Sequence, residues 1–152
     1  MRYEFIEPFV HSTLRVLDSV LHSEVTRGDL TLVREADAFG DVSIVIKVMD
    51  ETEGNIILSM SEETAVSVCG KMNSTDFKTL TPLGMDTISE LANMIAGNAT
   101  STLNEMGHDF KLYPPMIVRR GGDSASVETE VFQIPLKTVH GDISVSVAMR
   151  TS

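Results

Sequence analysis

The 152 residues suffice for one domain with a sizeable core and are too few for two ordinary domains and a linker. Twelve Lys and Arg against 22 Asp and Glu leave a formal charge of −10, which repels the phosphates of DNA and RNA. The adjacent basic pair Arg119-Arg120 precedes Gly121-Gly122-Asp123 and reads as the approach to a turn, and with aromatics at 5% and no Trp, single strands find no stacking platform.

No apolar run is long enough to span a bilayer. The start, Met1-Arg2-Tyr3-Glu4-Phe5-Ile6-Glu7-Pro8, carries two acids and a Pro where a secretory signal needs a basic start and an apolar run, so a cytoplasmic protein is expected. The single cysteine, Cys69, cannot form an internal disulfide and reads as a buried small hydrophobe. With four scattered His it makes no recognisable metal site.

Val10, Leu14, Leu17 and Leu21 recur at spacings of four, three and four, which predicts an amphipathic helix from about Pro8 to Glu24. Three strands are expected next, Leu30 to Arg34, Asp41 to Met49 and Asn55 to Met60, separated by Phe39-Gly40-Asp41 and Glu53-Gly54-Asn55. Val42, Ile44 and Ile46 share one face of the second strand, and Val45 adds apolar character to the other. Ser61 before Glu62 and Glu63 starts a short helix to about Lys71, because its hydroxyl can accept from an orphan backbone N–H and the acids suit the positive helix end. Thr81 as cap and Pro82 as first residue open a much longer helix, stopped by Gly107. Strands are expected at Phe110 to Val118, Ser126 to Thr138 and Ile143 to Arg150, with hairpin turns at Gly121-Gly122 and His140-Gly141-Asp142. Runs of strands joined by tight turns, with helices set apart, predict an α+β fold with a largely antiparallel six-stranded sheet, two long helices and one short helix. The helix-plus-three-strand unit occurs twice, a pseudo-duplication of pattern rather than of residues.

The long helix carries the functional signal. Ile88, Leu91, Ala92, Ile95, Ala99 and Met106 gather on one side, which is assigned to the core. Asp86, Glu90, Asn93, Gly97, Thr100, Ser101 and Asn104 form a stripe on the opposite side. Ordinary solvated faces mix Lys and Arg with Glu, yet no basic residue occurs between Lys78 and Lys111, and Asn and Gly are poor helix formers. Such a face suits either docking of something basic that approaches closely or plain solvation.

Asp86-x-x-x-Glu90-x-x-Asn93, within Glu90-Leu-Ala-Asn93-Met-Ile-Ala-Gly97-Asn98-Ala, resembles the signature of the chemotaxis phosphatases of the CheC, CheX and FliY group, with Pro114-Pro115 downstream. The first helix offers His11, Arg15, Asp18 and His22 at its polar spacings and no second Glu-x-x-Asn, so the chain is most similar to the CheX branch, as one domain over 1–152. The resemblance implies a phosphatase acting on a CheY-like receiver whose aspartate carries an acyl phosphate. Asn93 would orient the in-line water, since a carboxamide both donates and accepts, and Glu90 would pair with the receiver's active-site Lys. It implies no metal or cofactor in this chain, Mg²⁺ being held by the receiver, and a homodimer joined through sheet edges. The C-terminal strands are long and rich in Val and Ile, and an unpaired edge of that kind would be an association hazard in a monomer. Gly97 either lets the receiver backbone approach or is a small residue tolerated on a helix surface, and Asp86 is a supporting residue. A non-catalytic adaptor that binds a receiver or flagellar switch protein is the alternative. No Gly-x-Ser-x-Gly elbow or phosphate-binding glycine loop is present, so a chance Ser, His and Asp trio and direct nucleotide use are set aside.

Overall fold

A computed structural model describes residues 6–49, 53–119 and 130–150. The expected turn at Gly121-Gly122 and the first residues of the strand expected from Ser126 lie outside these ranges. Helix α1 runs over Ile6–Leu21, two turn-length strands follow at Thr26–Arg27 (β1) and Thr31–Arg34 (β2), and a 3₁₀ turn covers Glu35–Ala38. The hairpin of Val42–Met49 (β3) and Glu53–Met60 (β4) leads into α2, Glu62–Asn73, and α3, Pro82–Glu105. Lys111–Leu112 (β5), Met116–Arg119 (β6), Glu130–Thr138 (β7) and Gly141–Arg150 (β8) complete the chain.

The eight strands occupy six lanes of one antiparallel sheet. β1 and β2 lie end to end on the outside of β7, β5 and β6 lie end to end on the outside of β3, and β8 and β4 meet at the centre. Each outer lane is broken for a local reason. Between β1 and β2, the Gly28 N–H donates to the Pro135 carbonyl at 2.7 Å, so close that a side chain at Gly28 would meet the proline ring. Between β5 and β6 stand Pro114 and Pro115, which have no N–H to give a ladder. The expected single strand from Phe110 to Val118 is therefore two. The C-terminal strands are not edges: β8 is paired on both sides and β7 lies between β8 and the β1–β2 lane.

Strand alternation divides the side chains between two cores. Ile44, Leu58, Val145 and Ile134 stand in register across four strands, and this row together with Ile46, Ile56 and Val147 forms the sheet side of the main core. Phe9, Leu17 and Leu21 of α1, Val68 of α2, and Leu91, Ile95, Ala99 and Leu103 of α3 close it from above. On the other face Val45, Ile57, Val131 and Ala148 pack with Ala38 of the 3₁₀ turn and Phe39 just after it as a smaller core.

The caps are those the sequence predicts. Ser61 Oγ accepts from the Thr64 N–H and Thr81 Oγ1 from the Gly84 N–H, each at 3.1 Å. At the far end of α3, Gly107 adopts φ +101°, its N–H bonds the Asn104 carbonyl and the His108 N–H bonds that of Leu103, a Schellman closure that needs a left-handed residue. Met106 sits at this C-terminal cap, past the end of the packed helix, and is 60% exposed rather than buried as its helical angle suggested.

Candidate functional site

α3 lies along α1 on the helical layer, and the face it leaves open carries the candidate residues. Asp86 and Glu90 are exposed and Asn93 is half-buried, all on the outward side of a helix whose Ile88, Leu91, Ala92 and Ile95 are sealed in the core. Glu90 and Asn93 stand one turn apart. Gly97, a further turn along, has open space where a side chain would project, with nothing within 4 Å.

The stripe read from the sequence divides into two kinds of residue. Thr100 is buried, and its hydroxyl donates to the Ala96 carbonyl at 2.9 Å. Asn104 is exposed, but its amide brackets the chain leaving the helix: Oδ1 accepts from the Phe110 N–H at 2.8 Å and Nδ2 reaches the Phe110 carbonyl. Neither belongs to a docking face. Thr87, Asn98 and Thr102 are likewise engaged within the molecule. Asp86, Glu90 and Asn93 make no hydrogen bond or ion pair among the described residues. A free carboxamide beside a free carboxylate can order one water and bind one cation, and no group among the described residues competes for either.

Beside Asn93 an open groove of about 630 Å³ runs between the helices. Arg15 and Val16 of α1 form one wall, and Asn93, Met94, Gly97 and Ser101 line the other. The groove is held by a hydrogen bond across it, Ser12 Oγ donating to Asn98 Oδ1 at 3.2 Å. The sequence shows Arg15 only at one of the polar spacings of α1. Its position near Asn93 follows from how α1 lies on α3, which no local pattern encodes.

One Ser–His contact does occur elsewhere: Ser67 Oγ lies 2.6 Å from His140 Nδ1, joining α2 to the β7–β8 turn. Burial, and then the Lys71 charge, lower the His140 pKa from its usual value. Among the described residues no acid hydrogen-bonds the ring, so the pair lacks the orienting carboxylate of a triad there. Cys69 is fully buried, its thiol donates to the Gly84 carbonyl at 3.1 Å, and burial pushes its pKa up to about 11. Among the described residues no group of three His, Cys, Asp or Glu side chains is placed to hold a metal, and no helix is long and apolar enough to cross a membrane.

The family model described as chemotaxis phosphatase CheX matches residues 42–137, nearly two thirds of the chain and including all of α3. The chain belongs to the CheX family. The CheY-P phosphatase CheX of Thermotoga maritima is 28% identical over 119 residues, covering 78% of this chain and 77% of its own. The crystal structure of CheX from Desulfovibrio desulfuricans superposes with a TM-score of 0.80 at 27% identity, over 97% of this chain and 99% of that one. CheX in the CheX–CheY–BeF₃–Mg²⁺ complex from Borrelia burgdorferi gives 0.84 at 27% identity, over 98% and 99%. The α+β architecture of the CheX family is thus that of this chain from α1 through β8.

Proposed function

We propose that this CheX-family protein hydrolyses the acyl phosphate of a CheY-like receiver. The water oxygen attacks phosphorus in line, the bond from phosphorus to the aspartate oxygen breaks, and free carboxylate and inorganic phosphate result. Asn93 orients that water with its carboxamide. It is no general base near neutral pH, and positioning supplies most of what such a reaction needs. Glu90 docks to the receiver's active-site Lys and so fixes the phosphoryl group opposite Asn93. Asp86 supports the negative potential at this end of the face, and Gly97 leaves room for the partner's backbone. The protein contributes no metal in this reading; Mg²⁺ belongs to the receiver, where it neutralises phosphate charge. One CheX-like domain spanning 1–152, a cytoplasmic setting and a homodimer are part of the same proposal.

The observation that carries it is a pair on α3: Glu90 and Asn93 stand one turn apart with no hydrogen bond or ion pair among the described residues, whereas Thr87, Asn98, Thr100, Thr102 and Asn104 of the same helix are bonded within the fold. The CheY partner in the Borrelia burgdorferi complex supports the choice of receiver. The test is phosphate release from a phosphorylated receiver with wild type and Asn93→Ala. The variant is expected to fold with stability within about ±0.5 kcal/mol of wild type and to lose on the order of 100-fold in rate, the scale of a lost polar positioning group. An unchanged rate would overturn the assignment, and receiver binding without faster phosphate loss would make the protein an adaptor.

A further inference from the structure

The groove beside Asn93 is lined by a cation, Arg15, that no described residue pairs. Arg15 is exposed and forms no ion pair or hydrogen bond among the described residues, whereas Arg27 pairs with Glu7, Arg34 with Asp37 and Arg119 with Glu62. Among the described arginine side chains, Arg15 is the one without a carboxylate partner. Its position is fixed by the fold: Ser12, one turn earlier, ties α1 to Asn98 of α3, and Arg15 and Val16 then form the wall facing Asn93. Glu105, the other charged residue on the groove, forms no ion pair with it.

We propose that Arg15 is a docking residue for the receiver, taking a carboxylate at the rim of its phosphorylated pocket, on the opposite side of Asn93 from the Glu90–Lys contact. The inference rests on the phosphatase reading above. Mg²⁺ beside a phosphoryl group is held through carboxylates, so the pocket presented to α3 is rich in negative charge. A chain of net charge −10, offering Asp86 and Glu90 first, is repelled by such a surface unless a cation meets it. α3 itself has no Lys or Arg, and Arg15 is the groove's cation. Contacts of opposite sign on the two flanks of Asn93 admit one orientation of the partner, and the guanidinium fork suits a carboxylate better than an ammonium does.

Arg15→Gln and Arg15→Lys test this in the full chain. Phosphate release from the phosphorylated receiver gives kcat and KM, and titration with the receiver loaded with Mg²⁺ and beryllofluoride gives Kd. Arg15→Gln is expected to raise KM and Kd about tenfold with kcat within about twofold, and the gap to wild type should narrow as salt rises from about 0.05 to 0.5 M. Arg15→Lys should recover part of the loss. KM and Kd equal to wild type in an active enzyme would mean that Arg15 is only a solvated side chain, and a fall in kcat at unchanged KM would equally overturn the docking role. Wild type that is inactive and indifferent to Asn93→Ala would instead sink the phosphatase reading itself, an outcome that Arg15 does not affect.

Discussion

At Gly97 the folded state and the proposed function make opposite demands. The site is open, so an alanine methyl meets nothing, and a helix-interior Gly→Ala change stabilises by up to about 1 kcal/mol. If the position is kept small for a partner's backbone, Gly97→Ala should unfold at a temperature equal to or above wild type while its KM for the phosphorylated receiver rises severalfold. A melting curve paired with the phosphatase assay separates the two effects, and a variant both more stable and fully active would make Gly97 a tolerated surface residue. Glu90→Lys tests the other contact. With its charge reversed against the receiver's Lys, Kd should rise at least tenfold at low salt, and unchanged affinity would remove Glu90 from docking. The spacing of Glu90 and Asn93 was legible in the sequence because helical period alone puts them on one face. The engagement of Thr100 and Asn104, and the approach of Arg15, were not legible. The approach of Arg15 depends on the side from which α1 packs, and the engagement of Asn104 on how the chain leaves α3, both tertiary facts.

The elements themselves were announced by short-range chemistry, and one of them can be probed through a residue the reaction does not use. Cys69 joins α2 to the first turn of α3 through its bond to the Gly84 carbonyl, the turn that Thr81 caps. Sealed and with its pKa raised from 9.0 to about 11, the thiol should resist a disulfide reagent at pH 8 in the native protein and react at once in denaturant. Rapid native labelling would show that this junction opens. The same shift fixes a sign. A group whose pKa is raised by folding contributes stability that is whole below its unfolded value near 9 and is lost as pH rises toward 11, so this junction weakens on the alkaline side. Thr81→Ala should cost about 1 kcal/mol, read from denaturant unfolding, because it orphans the Gly84 N–H at the start of the helix that carries the site.

For the whole molecule, the repeated helix-plus-three-strand pattern has a geometric counterpart. α1 with the β1–β2 lane, β3 and β4 forms one half; α3 with the β5–β6 lane, β7 and β8 forms the other. Across the sheet the order is β1–β2, β7, β8, β4, β3, β5–β6, and exchanging the halves reverses this order onto itself. Each half therefore lends its outer lane to the other, and the long Val- and Ile-rich strands lie inside the sheet rather than at an edge. A dimer joined through sheet edges has only the two broken lanes available among the described strands. Short strands interrupted by Gly or Pro are the means by which edges avoid unwanted pairing, so a productive contact needs more than the ladder. The β5–β6 lane offers it: Leu112, Tyr113 and Met116 are all exposed there, against Leu32 alone on β2. Sedimentation is expected to give twice the 16.6 kDa of one chain, Met116→Lys to halve that mass, and Leu32→Lys to leave it unchanged. The reverse pattern would assign the contact to the β1–β2 lane. Wild type at the mass of one chain would remove the dimer and leave Met116, 61% accessible opposite Val45, a solvated edge residue.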